Sequence, residues 1–168
     1  MVDAWDIIPW RRIVVLDDID RRLLVELQVD ASESLEKLGE RVGLSRNACW
    51  TRVKRLEEAG VLKARIALVD PEKINLGLSV FIAVRTNEHD PEWLETFAQV
   101  TSAMPEVQGV YRTAGDLDYL IRARVPDVAA YDALYQRLIR KVRLSDVSAS
   151  FVMQEIKETT ALPLNYAQ

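Results

Sequence analysis

The stretch from Ser32 to Gly60 leaves the chain few ways to fold. Ser34 can cap a helix in which Leu35, Leu38 and Val42 fall at i, i+3 and i+7, on one apolar face. Gly43 supplies the left-handed backbone that a sharp turn needs, and Leu44 plugs the corner. Ser45 caps a second helix that stops at Gly60, with Cys49, Val53 and Leu56 as its apolar stripe. Two short amphipathic helices joined by so tight a turn bury their stripes against each other and against a further element.

The opposite face of the second helix carries Arg46, Asn47, Trp50, Thr51 and Lys54, with Arg55 at its edge. Arg and Asn pair bidentately with guanine and adenine edges in the major groove, and Lys binds phosphate. Ser45 stands at the helix N-terminus, where free N–H groups and the helix dipole favour a phosphate oxygen. This is the pattern of a helix-turn-helix that reads double-stranded DNA. A plain helical hairpin with a solvated charged face has the same periodicity, and the flanking sequence favours the former. Trp50 is open to three readings: contact with a thymine methyl, contact with the sugar-phosphate wall, or packing on a neighbouring wing.

A net charge of −4 looks wrong for a DNA binder until it is located along the chain. Acids and bases balance through residue 69, and the excess of acid lies beyond it. Between Ser45 and Val69, Arg46, Arg52, Lys54, Arg55, Lys63 and Arg65 oppose only Glu57 and Glu58, so the positive field is local. No apolar run approaches the ~20 residues that span a bilayer, no signal peptide is present, and the single Cys fits a reducing compartment. A cytoplasmic protein with no membrane partner is expected. Cys49 lies on the buried stripe and reads as a small core hydrophobe. An enzyme is disfavoured: His89 is the only histidine, and nothing supplies a metal site or a nucleophile–base pair. No catalytic residue, metal or cofactor is expected.

The rest of the chain supplies two more elements around the hairpin and then a second domain. Residues 1–15 hold Trp5 and Trp10 without a usable period and read as a flexible extension. Asp17 to Val29 is a helix with Ile19, Leu23, Leu24 and Leu27 inward, and Asp17, Asp18 and Asp20 in its first turn, where the dipole favours acids. Val61 to Val69 alternates as a strand. Its Lys63 and Arg65 make it either the wing of a winged helix, touching backbone phosphates, or a linker strand with solvated charges. A winged helix-turn-helix over 16–69 is followed by a linker over 70–77.

From Leu78 the period changes. Strands are expected at Leu78–Thr86, Val107–Arg112, Asp118–Val125 and Val147–Met153. Helices open at Pro91, with Trp93, Leu94, Phe97 and Ala98 inward, and at Pro126-Asp127, with Tyr131, Leu134, Tyr135 and Leu138. The order β-α-β-β-α-β over 78–160 is that of a ferredoxin-like domain, so the fold class is α+β, with a tail at 161–168. One sheet face is covered by helices; the other reads as apolar and calls for a dimer. Gly115-Asp116 suits first a plain hairpin turn; the other reading is a small-ligand turn in which Asp116 or Asp118 meets an ammonium group.

Together the two halves resemble the Lrp/AsnC family of leucine-responsive and asparagine-synthetase regulators. The matching motifs are L-D-D-I-D-R-R-L-L-V-E-L-Q at 16–28, V-G-L-S at 42–45 and R-V-K-R-L-E-E-A-G-V-L at 52–62 in the first domain. In the second they are A-G-D-L-D-Y-L at 114–120, R-V-P-D at 124–127 and S-F-V-M-Q-E-I-K at 150–157. The resemblance implies an amino-acid-responsive transcription regulator whose homodimers associate into octamers or larger discs. It places the effector, a small amino acid, between neighbouring dimers at a turn matching Gly115-Asp116-Leu117-Asp118-Tyr119, with Thr113 and Ala114 as secondary pocket candidates. Cys49-Trp50, the D-P-E-K-I of 70–74 and the M-P-E-V of 104–107 are similar to regulators that sense cysteine. An architectural DNA-binding protein without an effector is the alternative.

Overall fold

In the computed structural model the described residues run from Val14 to Ala167, so nearly all of the expected N-terminal extension lies outside them. The chain divides into two compact units: Val69–Lys157, and the stretch up to Leu68 together with the residues from Glu158 onward.

The first unit is built on three helices, α1 (Asp18–Val29), α2 (Leu35–Val42) and α3 (Arg46–Glu58). Each begins on a side-chain cap. Asp17 and Asp20 form a reciprocal capping box at α1, Ser34 accepts from Lys37 N–H, and Ser45 accepts from Ala48 N–H. Gly43 takes φ 75° at the end of α2, and Leu44 N–H returns 2.8 Å to the Gly39 carbonyl, closing the turn into α3. The apolar stripes then meet in one core of Leu16, Leu23, Leu24, Leu27, Leu38, Val42, Cys49, Val53 and Leu56.

Two expectations for this unit are corrected. Val61 to Val69 is no strand: Val61 and Leu62 bend back to donate to Leu56 C=O (3.0 and 3.1 Å), and the segment pairs with no strand among the described residues, so the wing is not formed as a hairpin. Alternating residues suffice for extended backbone, but a strand needs a partner ladder. The segment 161–168 is not a free tail. Leu164 and Ala167 pack on the helical core, the Gln28 side-chain amide donates to Leu162 C=O (3.2 Å) and accepts from its N–H (2.6 Å), and Arg21 Nη2 donates to Ala167 C=O (3.0 Å).

The second unit opens with a short 3-10 turn, Glu72–Ile74, and then follows the expected order: β1 (Leu78–Arg85), α4 (Pro91–Ser102), β2 (Val107–Arg112), β3 (Tyr119–Val125), α5 (Val128–Ile139) and β4 (Asp146–Phe151). The strands form one antiparallel sheet in the order β2-β3-β1-β4. Its helix-covered face packs Val80, Ile82, Val84, Tyr119, Ile121 and Ala123 against Trp93, Phe97, Leu134 and Leu138. On α4 the buried residues are Trp93, Phe97 and Thr101, while Leu94 is exposed. Thr101 is accommodated because its hydroxyl donates to Phe97 C=O at 2.8 Å.

The other sheet face is not apolar, as expected, but mixed. Phe81 stands between Arg122 and Ser150, Ala83 between Leu120 and Ser148, and Ser79 is paired with Arg124. Alternation on β3 and β4 puts the arginines and serines on that face.

Candidate functional site

The α3 face forms because Cys49, Val53 and Leu56 hold one side of the helix in the core, which leaves Arg46, Asn47, Trp50, Thr51 and Lys54 exposed on the others. Trp50 is 52% exposed, and the Lys54 ammonium stands 5.3 Å from its ring centroid, a cation–π contact one turn along the helix. Lys54 also lies 3.6 Å from Glu58, and Thr51 donates to Asn47 C=O at 3.0 Å. Cys49 is fully buried, and burial pushes its thiol above the ordinary value.

Arg55, expected at the edge of this face, is exposed and also tied back to α1. Its guanidinium is bound to the Asp20 carboxylate, which is buried in α1. Arg52 shares the same anion at 2.9 Å and also reaches Asp17 at 2.6 Å. The hydrogen bond from Arg52, foremost, holds the Asp17 carboxyl down at about 2. Sequence reasoning missed this four-residue tie between α1 and α3. Asp20 takes the first place in a stripe continued by Leu23, Leu24 and Leu27, a local hint of burial that does not name its partners. Lys63 and Arg65 are exposed on the extended segment, with Arg65 bonded to Glu57 at 2.8 Å.

The turn between β2 and β3 is closed by Thr113 N–H to Asp118 C=O (2.9 Å) and by the Thr113 hydroxyl to Leu117 C=O (2.6 Å). Gly115 sits at φ 130°, a conformation that side chains rarely adopt. The turn is fastened to the end of β1: Thr86 N–H donates to the Asp118 carboxylate (2.8 Å), and Arg85 Nε donates to Asp116 C=O (2.8 Å) while its Nη1 meets Asp146 (3.0 Å). Thr113, Ala114, Gly115 and Asp116 are exposed. Tyr119 does not join them. It is 6% exposed, with its ring centroid 4.8 Å from Phe97 and 5.6 Å from Trp93, because the first position of β3 points into the core. It supports the turn from behind. Asp118 has one carboxylate oxygen committed to Thr86, so of the two carboxylates Asp116 is the more available.

Among the described residues no group of three His, Cys, Asp or Glu side chains is placed to hold a metal ion, and no helix is long and apolar enough to cross a membrane.

Residues 16–57 match the model of the AsnC-type helix-turn-helix domain, and residues 79–162 match that of the Lrp/AsnC ligand binding domain. The chain is 50% identical over 151 residues to the DNA-binding transcriptional activator DecR of Escherichia coli, covering 89% of this chain and 99% of that one. It is 48% identical over 149 residues to the glutamate uptake regulatory protein of Zymomonas mobilis, covering 89% and 91%. Among solved structures, a transcriptional regulator from Neisseria meningitidis in complex with L-methionine superposes with a TM-score of 0.86 at 38% identity, over 90% of this chain and 98% of that one.

Proposed function

Because the chain belongs to the Lrp/AsnC family of DNA-binding transcriptional regulators, and is no enzyme, we propose that it is an amino-acid-responsive regulator that binds operator DNA as a dimer or higher oligomer. Its reading face comprises Arg46, Asn47, Trp50, Thr51 and Lys54, with Ser45 at the helix N-terminus and Lys63 and Arg65 on flanking phosphates. The observation that carries this is the exposed outer face of α3, held outward by the buried stripe and by the Asp20 tie. Two such helices in a dimer read half-sites about one helical turn apart. The ligand of the second unit is a small amino acid at the turn Thr113 to Asp118, with Asp116 facing its ammonium group and turn N–H groups its carboxylate. The Neisseria relative's complex with L-methionine supports an amino acid as the ligand class. The motifs at 49–50, 70–74 and 104–107 make cysteine the first candidate.

Arg46→Ala or Asn47→Ala is expected to leave the oligomer unchanged and to cost about 1–3 kcal/mol of discrimination at one base position. Binding-site selection with each variant checks this, and an unaltered site preference would mean that α3 does not read the DNA. A thermal-shift screen against the common amino acids should show one or more that raise the melting point of the wild type. Asp116→Ala should lose that shift while binding DNA as before; a retained shift would place the ligand elsewhere.

A further inference from the structure

Trp50 presents a half-exposed indole on the outer face of α3. Trp50 stands in contrast to Trp93, which is buried in the second unit with its N–H bonded to Arg143 C=O at 2.8 Å. Among the described residues the segment after α3 joins no strand, and its own Ile66 and Leu68 are exposed. The Lys54 ammonium stands over one ring face of Trp50 and ties the indole's orientation to the helix. This cation is also the group on that turn suited to phosphate, so the sugar-phosphate wall is Lys54's contact rather than the indole's.

Among base edges in the major groove, thymine alone presents an apolar group, its 5-methyl. Trp50 lies one turn from Asn47, the side chain suited to the adenine N6 and N7 edge, and an A·T pair shows that edge and the methyl side by side. Resting on the assignment of α3 as the reading helix, we propose that Trp50 is a specificity residue that reads a thymine methyl, with Asn47 on the adenine of the same or the adjacent pair. Burial of the methyl against the indole removes both from water, which neither cytosine nor a phosphate can match.

The test selects sites from randomised duplexes with the full-length wild type, Trp50→Ala and Asn47→Ala. The wild-type set should hold a thymine at one fixed place in each half-site, and the Trp50→Ala set should lose it. Replacing that thymine with deoxyuridine deletes only the methyl. It should weaken wild-type binding on the order of fourfold and leave Trp50→Ala unaffected. The deoxyuridine measurement on the wild type stands even if the variant folds poorly. Equal wild-type binding to thymine and deoxyuridine, with Asn47→Ala still losing its adenine, overturns the role of Trp50 and leaves the α3 assignment standing. Identical site preferences for all three proteins overturn both.

Discussion

Asp20→Ala is expected to destabilise the helical unit by about 2–4 kcal/mol, a large part of the ~5–15 kcal/mol by which a domain is ordinarily stable. The carboxylate is fully buried, and it serves three purposes: it closes the capping box on Asp17 N–H (3.2 Å), accepts from Arg52 (2.9 Å), and binds Arg55. Its removal leaves two guanidiniums without their central anion and one helix start half capped. The lower end of the usual 3–5 kcal/mol for breaking a buried pair applies, since Arg52 and Arg55 keep access to water. Hydrogen exchange should show α1 and α3 amides losing protection while β1 and β3 amides keep theirs; unchanged protection in α3 would refute the tie. DNA binding should fall with it, since Asp20 anchors the helix that carries the reading face. The neighbouring Asp17 adds a pH signature. Its carboxyl is depressed from its ordinary 3.8 to about 2, so its contribution is complete above about pH 4 and is lost as pH falls through about 2.

The second unit has its own point of failure. Phe97→Ala should cost about 3–5 kcal/mol. The ring is wholly buried, stacked 5.0 Å from Trp93 and tilted against Tyr119 at 4.8 Å, so its loss opens a cavity and ends both aromatic contacts. Phe97→Leu, which keeps most of the volume, should cost much less. Urea titration followed by near-ultraviolet circular dichroism reads the difference, and a shift below about 1 kcal/mol for Phe97→Ala would contradict it. Because Tyr119 begins the strand that leaves the proposed ligand turn, Phe97→Ala should also blunt any ligand-induced rise in melting point.

The regular elements were legible in the sequence because local chemistry announces them. Ser34, Gly43 and Ser45 bracket the turn of the first unit, and Asp90-Pro91 and Asp127 open the two helices of the second. The sheet followed from alternation and from the order of elements, which allow little else once the helices are assigned. What stayed illegible was long-range or depended on a partner. Val61 to Val69 has the alternation of a strand, yet alternation is silent on whether a ladder exists to join. Asp20 read as a dipole-favoured surface acid because a helix first turn accepts acids generally; its burial depends on arginines 32 and 35 residues away. Tyr119 sat in a motif to which the family resemblance gives a ligand role, but the parity of the strand decides which way it faces. Leu164 and Ala167 carry no local signal of the core that they join.

Those last residues change the anatomy of the molecule. The DNA-reading unit is discontinuous: its helices come from the first part of the chain, its closing piece from the end, and the ligand-binding domain is spliced in between as an insertion. The ligand-binding domain is therefore threaded into the helix-turn-helix unit at two peptide junctions rather than appended at one. A cut at the obvious boundary near residue 69 would release helices shorn of the Leu162, Leu164 and Ala167 contacts, not an autonomous module.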